Sequence, residues 1–92
     1  MDISFNPEKR AKTLAERGLD FADAGLVFAE EVTTVRDSRQ DYGEDRYITA
    51  GYLHNRLVVM VWTVRGDTRR IVSMRHCHAG EERAWLDRVG RS

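Results

Sequence analysis

The sequence predicts an α+β fold in which N-terminal helices pack on an antiparallel β-meander and a C-terminal helix closes the chain. Three observations lead there. Apolar residues recur at helical spacing through the first third of the chain. Residues 46–76 are rich in β-branched and aromatic side chains, interrupted twice by turn-forming pairs. Helical spacing returns after residue 78.

The elements follow in order. Ile3–Phe5 alternates apolar and polar residues and predicts a short edge strand. Asn6-Pro7 has the form of an N-cap followed by the first helical position. Ala11, Leu14 and Ala15 sit at helical spacing, and Gly18 ends that helix. Asp20 caps a second helix, with Leu19 placed to staple onto Ala24 and with Phe21, Ala24, Gly25 and Phe28 on one face. Glu30 to Asp45 is mostly polar; Val32 and Val35 suggest a short strand, and Asp37–Asp45 a loop. Strands are predicted at Arg46–Leu53, Arg56–Arg65 and Thr68–His76. His54-Asn55 and Gly66-Asp67 are two-residue hairpin turns between them. Ala79–Val89 is the closing helix, with Ala79, Arg83, Leu86 and Val89 on its packing side and Trp85 beside them.

Composition narrows the function classes. A chain of 92 residues, 41% hydrophobic and 33% charged, is expected to form a single domain over residues 1–92. The single cysteine, Cys77, rules out an internal disulfide and with it a disulfide-stapled scaffold. The longest apolar run, Leu57 to Trp62, is far short of the ~20 residues of a membrane span. Asp2, Ser4 and Asn6 do not read as a signal peptide, so a cytoplasmic protein is expected. The net charge of zero hides an asymmetry: residues 1–45 carry −5 and residues 46–92 carry +5, the latter from arginines alone. Arginine binds phosphate with a planar fork and stacks on bases, so the second half suits a polyanion.

Two-residue turns fix the strand register and so sort side chains onto two faces. One face would hold Ile48, Ala50, Tyr52, Leu57, Val59, Val61, Val72 and Met74 as the core beneath the helices, with Arg46, Thr63 and Arg70 in a row at one end. The other would hold Tyr47, Thr49, Gly51, Val58, Met60, Trp62, Arg69, Ile71, Ser73 and Arg75. Two readings of this second face stand. Its aromatics and arginines suit single-stranded nucleic acid. Alternatively, Trp62, Met60 and Ile71 form a second core beneath a helix. A slip of one residue would exchange the faces.

Other chemistry is sparse. His76 and His78 share a strand face without Cys77, too few ligands for zinc, so no metal and no cofactor are expected. There is no glycine-rich phosphate loop. Arginine, lysine, histidine and hydroxyls remain, a set suited to RNA cleavage without a metal: arginines can stabilise the phosphorane, and His, Lys or Glu can move the protons.

Several segments in order resemble the BrnT toxins of bacterial type II toxin–antitoxin modules. They are Phe5-Asn6-Pro7-Glu8-Lys9; Leu14, Gly18 and Phe21; Tyr42-Gly43-Glu44-Asp45-Arg46-Tyr47-Ile48; Val58 to Gly66; Arg70-Ile71-Val72-Ser73-Met74-Arg75; and Glu82. The resemblance implies a small RelE-like domain and a ribonuclease that arrests growth by cutting RNA. It also implies a BrnA-like ribbon-helix-helix antitoxin, with operator DNA bound only through the antitoxin complex, and no membrane partner.

On that reading Arg65 and Arg75 contact phosphate or the transition state, and Arg46 and Arg70 support them. Lys9 and His76 are the proton-transfer candidates. Tyr47, Trp62 and Arg69 hold RNA. The sequence departs from the family pattern at Thr13, Arg17, His76 and Cys77, where Asn, His, a basic residue and Ala are usual. The competing reading is a non-catalytic module, a degenerate toxin whose arginine-rich face binds a protein partner or nucleic-acid phosphates.

Overall fold

The computed structural model describes residues 1–90, and side chains up to residue 87. Strand β1 (Asp2–Phe5) leads into helix α1 (Pro7–Arg17). Asn6 caps α1, its Oδ1 accepting from the amides of Glu8 at 2.9 Å and Lys9 at 3.2 Å. Gly18 ends α1 at φ +69°, a left-handed value that a side chain would strain. Asp20 caps a 3-10 turn (Phe21–Asp23) that continues into a short helix α2 (Ala24–Phe28). Strands β2 (Val32–Asp37), β3 (Arg46–Leu53), β4 (Arg56–Arg65) and β5 (Thr68–His76) follow, then helix α3 (Ala79–Gly90).

The five strands form one sheet in the order β1-β5-β4-β3-β2. Strands β2 to β5 are antiparallel neighbours, as expected of a meander, and β1 adds at the edge parallel to β5. The expected pairings Leu53 with Arg56 and Arg65 with Thr68 are present. His54 and Asn55 both take positive φ, 49° and 67°, the geometry of a type I′ turn, although neither is glycine.

The faces are the reverse of the expected ones. Leu19, Phe21, Ala24 and Val27 pack on Leu53, Val58, Met60, Trp62, Ile71 and Met74, with Tyr47, Val32 and Phe28 at the border. The helices therefore cover the side that carries Trp62, and the second-core reading of that side is the correct one. Gly51 shows why the approach is so close: a Cβ there would come within 2.8 Å of both Val27 and Val32. A bulge completes the exchange. Val61 pairs with Ser73 and Trp62 with Ile71, which leaves Val72 as an extra residue in β5. Beyond it the parity of β5 flips. Met74 joins the core opposite Met60, while Ser73 and Arg75 move to the outer face opposite Val61 and Val59.

Helix α3 covers one end of that outer face. Trp85 is buried there, its ring edge-on to Tyr52 at 5.5 Å, whereas Leu86, expected on the packing side, is exposed. Val89 lies outside the residues whose side chains are described. Among the described residues, no helix lies over the rest of the outer face, around Arg46, Ile48, Val61, Thr63 and Arg70.

Candidate active site

The register lines up Arg46, Thr63 and Arg70 across β3, β4 and β5. Neighbouring strands lie about 4.8 Å apart, so two guanidinium groups flank one threonine. Arg65 follows two residues after Thr63, on the same face. Strand β1 stops at Phe5, and the first turn of α1 brings Asn6 and Lys9 to the same place. The result is a cavity of about 140 Å³ lined by Asn6, Lys9, Glu44, Arg46, Arg65 and Arg70, with backbone of β5 behind them. Four cations and one carboxylate share it.

The loop before β3 is built to hold this arrangement. Asp37 is buried and takes a fork of hydrogen bonds from Arg39, at 2.8 Å from Nε and 2.7 Å from Nη2, and a third at 3.1 Å from the Tyr42 hydroxyl. The Arg39 guanidinium holds the Asp37 carboxyl far below the usual carboxylate range. Tyr42, thus fixed, lies under Arg46, whose guanidinium carbon is 4.1 Å from the ring centroid. The Thr63 hydroxyl donates to the Asp45 carbonyl at 2.6 Å and ties the end of the loop to the sheet. Between those anchors Glu44 reaches Arg65, Oε1 to Nη2, at 3.6 Å. That is an ion pair but too long for a hydrogen bond. The Nε of Arg46 is buried with no partner among the described residues. An unpaired buried donor on a cation is costly unless an anion meets it. Alongside lies a larger open depression, about 750 Å³, lined by loop residues that include Asp37, Asp41, Glu44 and Asp45. Arg36 also lines it, and Asp37 and Asp45 there are paired with Arg39 and Arg36, so it lacks the excess of cations that the smaller cavity has.

The family of the chain is now decidable. Residues 5–81 match the family model described as "Ribonuclease toxin, BrnT, of type II toxin-antitoxin system". The chain belongs to the BrnT ribonuclease toxins. A comparison with curated proteins gives no match. The toxin is thus a ribonuclease of a type II module, with RNA as substrate and an antitoxin as partner. Lys9, Glu44, Arg46, Arg65 and Arg70 all fall within the matched span and within the segments that carry the resemblance.

The structure brings together four of the residues expected in the toxin's site, Lys9, Arg46, Arg65 and Arg70. The others lie elsewhere. Trp62 is in the core, its Nε1 donating to Thr49 Oγ1 at 2.7 Å. Tyr47 packs against Trp62 at 4.8 Å between ring centroids. Arg69 stacks on Phe28 at 4.0 Å, beside Trp62. All three lie on the side that α2 covers, Trp62 buried and Tyr47 and Arg69 half-buried. Arg75 is on the outer face but held by Glu81 through two bonds of 2.7 and 2.8 Å. That fork and the His78 amide hold the Glu81 carboxyl at about 2. His76 shares the covered side with Val58. Burial and the nearby Arg56 charge lower its pKa, and it lies on the opposite side of the sheet from the cavity. Two other departures from the family pattern also lie outside the cavity: Arg17 donates from Nη1 to the Met74 carbonyl at 2.8 Å, and Cys77 lies beside Val59 and Trp85 under α3.

Sequence reasoning missed Glu44, Tyr42 and Asn6. Glu44 and Tyr42 stand in the Tyr42-Gly43-Glu44-Asp45-Arg46 segment, where a carboxylate two residues before a site arginine was the available signal.

Proposed function

We propose that this toxin cleaves single-stranded RNA without a metal, in the cavity between Lys9, Arg46, Arg65 and Arg70. The observation that carries the reading is the convergence of four cations on one small cavity, with the buried Arg46 Nε left for an anion. In such a site the scissile phosphate sits between the guanidinium groups. As the ribose 2′-oxygen attacks, the phosphorane gains negative charge, which fixed arginines stabilise more than they stabilise the ground state.

The partner reading follows from the same face. Val35 is exposed and in register with Ile48 and Val61, a short apolar row beside the cavity. A BrnA-like ribbon-helix-helix antitoxin would lay an apolar segment on this row and place a carboxylate in the cavity. Operator DNA would then be bound only through the antitoxin. The toxin would act in the cytoplasm, as a single domain.

The test is expression of the toxin without its partner. Growth stops with the native chain and continues with the Arg65→Ala, Arg70→Ala double variant, while circular dichroism shows that the variant is folded. Purified toxin cuts RNA in EDTA. Arrest by the folded double variant would remove the cavity from the mechanism, and loss of cleavage in EDTA would remove its independence from metal.

A further inference from the structure

We infer that Glu44 is the general base of this ribonuclease, a role that rests on the cavity being the RNA-cleaving site. The cavity lacks an evident proton acceptor otherwise. Three of its five charged side chains are arginines, which do not give up a proton in proteins, and Lys9 is cationic. His76, a proton-transfer candidate from the sequence, faces the opposite side of the sheet. Glu44 is the one carboxylate that lines the cavity.

How Glu44 is held distinguishes it from a structural counter-ion. Three of the other ion pairs among the described residues are forks, Arg10 on Asp20 at 2.7 and 2.9 Å, Arg39 on Asp37, and Arg75 on Glu81, while the exposed Arg36 meets Asp45 through one bond of 2.7 Å. Such forks occupy both carboxylate oxygens and hold the proton off. The contact of Glu44 with Arg65 is single, at 3.6 Å, and Glu44 accepts no hydrogen bond among the described residues. Its oxygens are thus open to a hydroxyl. Its backbone is not loose: Gly43 stands at φ +74°, its amide donates to Asp41 Oδ1 at 2.8 Å, and Thr63 anchors the Asp45 carbonyl. A carboxylate with open oxygens on a pinned backbone is what a positioned base requires.

Glu44 enters the cavity from the loop before β3, and Lys9 enters from the first turn of α1 beside β5, so the two come from different elements. Glu44 takes the proton of the ribose 2′-hydroxyl as the bond from O2′ to phosphorus forms. The bond from phosphorus to O5′ breaks, and O5′ receives a proton from the Lys9 ammonium. The products are a 2′,3′-cyclic phosphate and a 5′-hydroxyl. Exchange with water returns Glu44 to carboxylate and Lys9 to ammonium, and no oxidant or metal enters the balance.

The experiment measures single-turnover cleavage of an RNA oligonucleotide, and binding of the same oligonucleotide with 2′-deoxy sugar at the cleavage site. Glu44→Gln keeps shape and loses the base. It is expected to cut at least ~100-fold more slowly, within the range general bases contribute. It should bind the deoxy oligonucleotide as tightly as the native toxin or more tightly, because one negative charge has left the cavity. Added formate should restore part of the activity of Glu44→Ala and none of that of Arg65→Ala. Cleavage by Glu44→Gln within threefold of native would overturn the assignment. So would a parallel loss of binding and cleavage, which would make Glu44 a positioning residue for Arg65. Cleavage that persists in the Arg65→Ala, Arg70→Ala variant would instead overturn the cavity itself, and the two failures are therefore told apart.

Discussion

The two faces of the sheet are made from similar residue types and end in opposite states. The covered face carries Tyr47, Thr49, Trp62 and Arg69; the outer face carries Tyr52, Thr63, Arg46, Arg65 and Arg70. On the covered face the polar groups lie against core rings and one another, although the Nε of Arg69, like that of Arg46, is buried without a partner among the described residues. Trp62 donates to Thr49, Thr49 bonds Thr34 at 2.8 Å, and Arg69 lies flat on Phe28. On the outer face Arg70 makes no ion pair among the described residues, Arg65 makes one long one, and Arg46 keeps a buried donor unpaired. Arginine content alone therefore does not mark a binding surface. What marks it is the convergence of several cations on one open cavity, which Arg69, stacked on Phe28, does not share.

That contrast can be broken most forcefully at Trp62. Trp62→Ala removes a core ring and should destabilise the fold by about 3–5 kcal/mol. A urea titration measures it. RNA affinity per folded molecule should not change, and a selective loss of affinity with unchanged stability would return Trp62 to the RNA surface. On the outer face, Arg65→Ala should lower cleavage about 100-fold, equal to ~2.7 kcal/mol of transition-state stabilisation, with little change in the urea midpoint. A smaller effect belongs to Gly51→Ala. The methyl would press on Val27 and Val32, and overpacking of this kind costs about 1–3 kcal/mol. If the variant is as stable as the native chain, α2 does not sit as close to the sheet as described.

Smaller still is the effect of Asp20, whose carboxyl is held at about 2 against an ordinary 3.8 by the Arg10 fork and the Ala22 amide. A depressed folded-state pKa means that its contribution is complete above pH 4 and is lost as pH falls toward 2. Asp20→Ala should cost about 1 kcal/mol at pH 7, mostly as a lost cap, and Asp20→Asn only a few tenths because asparagine also caps. Acid titrations of the native chain and Asp20→Asn should converge below pH 2. Arg75→Ala should have the least effect on cleavage, staying within about threefold of native, because Glu81 already occupies that guanidinium. A loss as large as that of Arg65→Ala would put Arg75 back in the site.

The elements were readable because each has a local cause. Asn6-Pro7 starts a helix, Gly18 stops it, and Gly66-Asp67 turns a hairpin, all without reference to the rest of the chain. The site was half readable for the same reason: Arg46, Thr63 and Arg70 line up once the two turns are set. Which face the helices choose is not local. It depends on the larger volume of Trp62, Met60 and Ile71 and on Gly51 admitting Val27. The bulge at Val72 is equally hidden: strict alternation through Ile71, Val72 and Ser73 groups Met74 and Arg75 with the wrong neighbours, and Met74 reaches the core and Arg75 the outer face, as expected, only because the bulge offsets the exchange of faces. Glu44 was missed because its loop has no period, and only the folded chain brings it to Arg65.

The edge strand β1 carries one more consequence, for the history of each molecule. Ser4 and Thr68, 64 residues apart, join through their hydroxyls at 2.7 Å where β1 meets β5. Lys9 reaches Arg70 only because that parallel pairing has closed. Parallel pairing across so long a loop is among the slowest contacts a small domain makes, since the closure entropy comes due before the contact forms. A ribosome making this chain must release β5 before the cavity can exist at all. The hazardous chemistry is thus confined to molecules in which β1 has paired with β5, and that one long-range closure arms the toxin.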